Sequence, residues 1–90
     1  MITERSRLRL SARNFLRLNR RRLNLHRVRN LNSQERRIFI NAYCHAFSTC
    51  NENSIRAEQI LRYLLLNLGR NRTIELSVLI SNYIINNDDF

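Results

Sequence analysis

From Asn32 onward, apolar residues return at helical spacing. Phe39, Ala42, Tyr43, Ala46, Phe47 and Cys50 recur at intervals of three and four, which lines one face of an α-helix. In front of them stands Asn32-Ser33-Gln34-Glu35, an N-cap residue followed three places on by a glutamate, so each side chain can satisfy a backbone donor that the first turn leaves free. The polar stretch Thr49 to Ser54 interrupts this pattern, and Asn53 or Ser54 can cap a second helix with Ile55, Ile60, Leu61, Leu64, Leu65 and Leu68 as its apolar positions. Gly69, the only glycine, follows the last periodic leucine, where a left-handed C-cap is expected. Thr73 can then cap the next element. Residues 74–85 fit two periods: Ile74, Leu76, Val78 and Ile80 alternate as in a strand, while Leu76, Leu79, Ile80, Tyr83 and Ile84 fit a helix. The length of the segment and the lack of a partner strand select the helix. The tail from Asn86 to Phe90, acidic at Asp88 and Asp89, is expected to fray.

The first thirty-one residues have a different grain. Leucine alternates with arginine or asparagine in short pieces, Arg7-Leu8-Arg9-Leu10, Leu16-Arg17-Leu18 and Leu23-Asn24-Leu25. Wound as one helix at about 100° per residue, the arginines point in many directions and leave no clean apolar stripe. Laid out as a strand, Leu8, Leu10 and Ala12 face away from Arg5, Arg7 and Arg9, but this phase is lost by Leu23 and Leu25. The expected fold class is therefore all-α: a small helical bundle of two to three helices in residues 32–90, preceded by an Arg-rich arm, residues 1–31, that is extended or helical and orders on its partner. The absence of proline and tryptophan fits a helical chain better than a turn-rich β domain. A body of about sixty residues has a marginal core, which makes self-association or docking onto a larger assembly plausible.

Charge names the class of partner. All sixteen basic residues are arginine, and twelve of them lie between Arg5 and Arg37 against only Glu4 and Glu35, so this third of the chain holds the whole excess of the net charge of +9. Guanidinium is planar, permanently charged and able to bond phosphate two hydrogens at a time. The candidate nucleic-acid-binding residues are Arg7, Arg9, Arg13, Arg17, Arg20, Arg21, Arg22, Arg27, Arg29, Arg36 and Arg37, with Arg70 and Arg72 either capping the preceding helix end electrostatically, the preferred reading, or forming a second contact. Phe15 is the only aromatic residue among the arginines up to Arg29. Backbone contact and shape reading are thus favoured over base stacking, and RNA with duplex or other structure over sequence-specific single strands. The lack of lysine beside many asparagines also suits a constrained reading frame, as in a small viral accessory protein.

Other chemistry finds little support. Cys44 and His45 are neighbours that point about 100° apart on a helix, so they do not form a thiolate–imidazole pair. No Gly-rich phosphate loop or metalloprotease motif is present, and no enzyme activity is expected. Cys44, His45 and Cys50 lack a knuckle and a fourth ligand, so neither metal nor cofactor is expected. The two cysteines, six apart and about 9 Å along an intact helix, are expected to be free thiols in a reducing intracellular compartment, cytoplasm or mitochondrion. No run suffices for a membrane span. The main expectation is a non-enzymatic RNA-binding protein, either a ribonucleoprotein or ribosome component or a viral accessory factor, possibly dimeric. Two rivals remain: a mitochondrial protein whose first thirty residues are a targeting segment on a helical interaction module, and a DNA-binding regulator with a helix-turn-helix, whose recognition helix from Thr73 would carry no basic residue.

Overall fold

The computed structural model describes residues 3–86, and all its regular elements are helical: α1 (Glu4–Leu25), α2 (Ser33–Thr49), α3 (Asn53–Leu68), α4 (Arg70–Ser81) and a closing π-helical turn (Asn82–Asn86). The all-α expectation holds, but the bundle has four helices rather than two or three. The fourth is the arginine-rich segment itself. Its burial pattern, Leu8, Ala12, Phe15, Leu16, Asn19 and Leu23, advances by 4, 3, 1, 3 and 4, a stripe that leucines 10, 18 and 25 obscure in the sequence by standing outside it. The polar member, Asn19, is only 2% exposed and donates its side-chain Nδ2 to the Phe15 carbonyl at 2.9 Å, so a buried amide is spent on its own helix. The segment is thus a core helix and not a free arm. The radius of gyration, 12.3 Å, agrees with the roughly 12 Å of one packed domain of this length.

Local signals explain where each helix begins and ends. Thr3 caps α1, its hydroxyl accepting from the Ser6 amide at 3.1 Å. The helix closes in a Schellman turn: Val28 N donates to Leu23 O at 2.8 Å and Arg27 N to Asn24 O at 3.0 Å, with Arg27 at φ +56° in the left-handed position that usually belongs to glycine. The capping box at α2 forms as expected, Asn32 Oδ1 accepting from Glu35 N at 2.8 Å and Glu35 Oε1 from Asn32 N at 2.9 Å. In α3 the expected side-chain cap is absent, because Asn53 is already the first helical residue and Glu52, at the cap, makes no side-chain bond.

Gly69 alone joins α3 to α4. Its φ of +86° meets the expectation of positive φ, but its ψ of 168° carries the chain straight into α4 instead of forming a left-handed helical cap. Thr73 also acts otherwise than expected: it donates its hydroxyl to Gly69 O at 2.7 Å, alongside its own amide at 3.2 Å, rather than accepting at a helix start. The segment 74–85 is helical, its last four residues in the π turn, whose Tyr83 and Ile84 are buried.

The core is threaded by a column of rings. Phe15 stacks on Phe39 with centroids 4.9 Å apart and meets the edge of Tyr83 at 4.1 Å. Phe39 leads to Tyr43, Tyr43 stacks on Phe47 at 4.2 Å, and the Arg56 guanidinium lies 4.5 Å above the Phe47 ring. Burial pushes the Tyr43 hydroxyl up to about 12, with Tyr83 adding to the shift. Helix α2 is central: beyond the expected Phe39, Ala42, Tyr43 and Ala46 it buries Ile40 and Cys44, because α1 and α3 both pack against it. Cys44 and Cys50 are free thiols.

One carboxylate ties these parts together. Glu35, only 7% exposed, accepts Arg29 Nη1 and Nη2 at 3.0 and 2.9 Å, Arg72 Nε and Nη2 at 3.1 and 3.3 Å, and the Asn32 amide. Arg72 also donates to Asn30 O at 3.1 Å, so α4 is held to the loop before α2. The Arg29 fork, then Arg72 and the Asn32 amide, hold the Glu35 carboxyl down at about 2, overriding the opposite push of burial.

Two outcomes follow for stability. Ala at position 69 meets no atom within 4 Å, so its cost is purely the backbone one of a side chain at φ +86°, about 1–3 kcal/mol, read as a lower urea midpoint by circular dichroism. Because the folded-state pKa of Glu35 lies below its ordinary 4.5, its contribution is complete above pH 4.5 and is lost as the pH falls toward about 2. Glu35→Gln, which leaves the buried Arg72 charge only the half-exposed Glu75 at 3.6 Å, is expected to lose about 3 kcal/mol at neutral pH and to show a smaller further loss over that acid window than the parent chain.

Candidate polyanion-binding face

With Ala12, Phe15 and Leu23 directed inward, the remaining half of α1 carries the cations. Arg5, Arg9, Arg13, Arg17 and Arg21 stand four residues apart without a break. Each step rises about 6 Å along the axis and turns about 40° around it. The ladder therefore winds from the α2 side outward. Its first rungs, Arg5 and Arg9, are near enough to α2 to favour the Cys44 thiolate, although burial outweighs them and leaves that thiol raised. Arg9 is half-buried, while Arg13, Arg17 and Arg21 are exposed. Arg20 and Arg22 flank the last rung, and Arg7 shares the outer side.

The structure sorts the expected contact residues into three groups. Arg7, Arg13, Arg17, Arg20, Arg21, Arg22, Arg27 and Arg37 are exposed, Arg9 and Arg36 are half-buried, and among the described residues none of these ten has a carboxylate at ion-pair distance. Arg29 is paired with Glu35 at 2.9 Å, which raises its own pKa further, yet its side chain remains 58% exposed. Arg72 departs from expectation: its side chain is 8% exposed and closed around Glu35, with Glu75 at 3.6 Å, so it is a structural cation and not a second contact. Among the described residues its Nη1 finds no hydrogen-bond partner. Arg70 is exposed but borders a groove between α3 and α4, away from the ladder. The double role of Glu35 was invisible in the sequence, because Arg72 reaches it from thirty-seven residues away.

The ladder has a cost within the chain. Like charges three or four apart on a helix oppose folding by about 0.2–0.5 kcal/mol per pair. The helix tolerates them because its inner face is anchored by Phe15, 1% exposed, and its neighbours. Phe15 is thereby withdrawn from base stacking. Leu10, Leu18 and Leu25, 52%, 53% and 73% exposed, stand between the cations rather than on a separate face, unlike a helix that lies in a membrane surface.

The rest of the surface offers little catalytic chemistry. Glu4, Arg5, Asn41, Cys44, His45 and Ser48 are among the residues that line a shallow pocket of about 440 Å³, but they present no paired carboxylates, and the raised thiol is a poor nucleophile at neutral pH. Among the described residues there is no group of His, Cys, Asp and Glu able to hold a metal ion, and no helix long and apolar enough to cross a membrane. No protein-family model matches the chain, and no curated protein or solved structure matches it significantly.

Arg27 links strain to this face. A side chain at φ +56° costs about 1–2 kcal/mol relative to glycine, and Arg27 has no ion pair among the described residues to offset it. Arg27→Gly is expected to raise the stability measured by urea denaturation by about 1 kcal/mol. A loss of stability would show that the arginine side chain supports the turn.

Proposed function

We propose that this protein is a non-enzymatic RNA-binding protein that grips the phosphate backbone through the outer face of α1, as part of a larger ribonucleoprotein or as a small viral accessory factor. The observation that carries this reading is the unmatched arginine ladder on an ordered helix. A merely solvated helix gains nothing from so many unmatched cations, whereas a phosphate backbone that follows the winding ladder gains one charge-assisted contact per exposed rung. The exposed side chains of α1 include no aromatic ring, and among the described residues only Tyr63 of α3 stands beside the ladder, at Arg5, which favours backbone and shape over base identity, and hence duplex or folded RNA over a single strand. A rigid helix also presents its guanidinium groups without the ordering cost that a flexible arm would bear.

The alternatives are less well supported. A removable targeting segment would take Ala12, Phe15, Leu16 and Leu23 out of the shared core. A helix-turn-helix would set α4 in a groove, yet from Thr73 onward its exposed side chains include Ile74 and Val78 and no arginine.

Because α1 belongs to the core, the test uses substitution rather than truncation. Fluorescence anisotropy with duplex RNA, single-stranded RNA and duplex DNA is measured over a series of salt concentrations. If about five phosphates are neutralised, log affinity for a duplex falls against log salt with a slope near −4.5. Replacing Arg13, Arg17 and Arg21 together by Gln weakens binding at least about tenfold and makes the slope shallower by roughly 2 to 3, with helical content unchanged. A flat salt response overturns phosphate binding, and tighter binding of duplex DNA than of duplex RNA overturns the choice of RNA.

A further inference from the structure

The far side of the molecule carries an apolar surface that the cation ridge does not use. Between α3 and α4 runs an open groove of about 560 Å³ whose lining includes Leu61, Leu65, Ile74 and Ile85. Leu65 is 49% exposed, Ile74 56% and Ile85 42%. The inner positions of α3, Ile60 and Leu64, are already fully buried, so these residues are a second apolar face and not the edge of the core.

Charge identifies what covers it. The chain carries +9, concentrated on α1, so two copies repel each other wherever α1 faces a partner. The groove is formed by α3 and α4 without α1, and its rim is nearly balanced: Glu58 pairs with Arg62 at 3.0 Å on α3, and Arg70 stands at the start of α4. Since Gly69 turns α4 back along α3, Glu58 lies toward one end of the groove and Arg70 at the other, roughly 15 Å apart by helical rise. A two-fold axis through the middle of the groove exchanges these ends. It sets Arg70 of each copy against Glu58 of the other while Leu61, Leu65 and Ile74 meet across the axis.

We infer that this groove is a self-complementary dimer interface, the docking site of a second copy of the same chain. The pairing leaves both α1 faces open, so the dimer presents two cation ridges. The inference goes beyond the RNA-binding proposal and does not depend on it.

Sedimentation equilibrium of the full chain, free of nucleic acid, tests the assignment. The expected result is a dimer whose dissociation constant falls as salt is raised, because apolar contact persists while repulsion between the +9 chains is screened. That trend is opposite in sign to polyanion binding. Leu65→Glu and Ile74→Glu, at exposed positions that leave the helical spectrum intact, weaken dimerisation at least about tenfold. Arg70→Glu and Glu58→Arg each weaken it, and the two together restore it, which an indirect structural effect does not do. A chain that stays monomeric at every salt concentration overturns the inference, as does a dimer insensitive to Leu65→Glu and Ile74→Glu or a charge exchange without rescue. Arg13, Arg17 and Arg21 replaced together by Gln leave dimerisation intact, so failure of the RNA proposal is read separately.

Discussion

The fold depends on Glu35 being ionised and enclosed. One carboxylate collects two guanidinium groups and a backbone amide from three places in the chain: the loop after α1, the first turn of α2 and the first turn of α4. Apolar contact also draws these segments together, since Leu31, in the loop before α2, is buried and lines one small cavity with Phe39 of α2 and Leu76 of α4. The ring column through Phe15, Phe39 and Tyr83 gathers the helices, but it is oily and permits sliding, whereas five directed bonds to two oxygen atoms permit one arrangement. In a chain with an excess of cations, a buried acid is scarce, and its position decides which arginines become structural and which remain at the surface.

Much of the architecture could be read from the sequence, and the exceptions share a cause. The capping box at Asn32 and the inner face of α2 follow from spacing alone, because local hydrogen bonds and one-sided burial decide them, while the helical character of residues 74–85 follows from the length of the segment and the lack of a partner strand. The sequence suggests an arm, extended or helical, where the structure has a core helix, because the stripe of α1 includes Asn19, which looks polar yet is buried, and omits three leucines that look apolar yet lie outside. Hydrophobic periodicity counts residue types, and here type and burial disagree at four positions in one helix. The burial of Arg72 escapes the sequence for another reason. Its partner is remote in sequence, and nothing local distinguishes an arginine that caps a helix from one that crosses the molecule.

The candidate site was legible in composition but not in form. The sequence identified the arginines, and with them the class of ligand, while a scattered arm and a rigid ridge make different demands on a partner. The four-residue period from Arg5 to Arg21 lies in plain view, yet it acquires meaning only once an ordered helix holds its other face still. The same helix thus supplies core and cations, and stability and electrostatics cannot vary independently along it. Left-handed Arg27 at its end is the sharpest instance, a charge retained where backbone geometry favours glycine.

The joint at Gly69 has a mechanical consequence. A single residue between two helices provides two rotatable bonds, and both Thr73 hydrogen bonds close onto its carbonyl. Helices α3 and α4 are therefore joined by the shortest of links, and one φ and one ψ set the angle at which Leu65 and Ile74 face each other. The course of the mouth between them is dictated at a single backbone position.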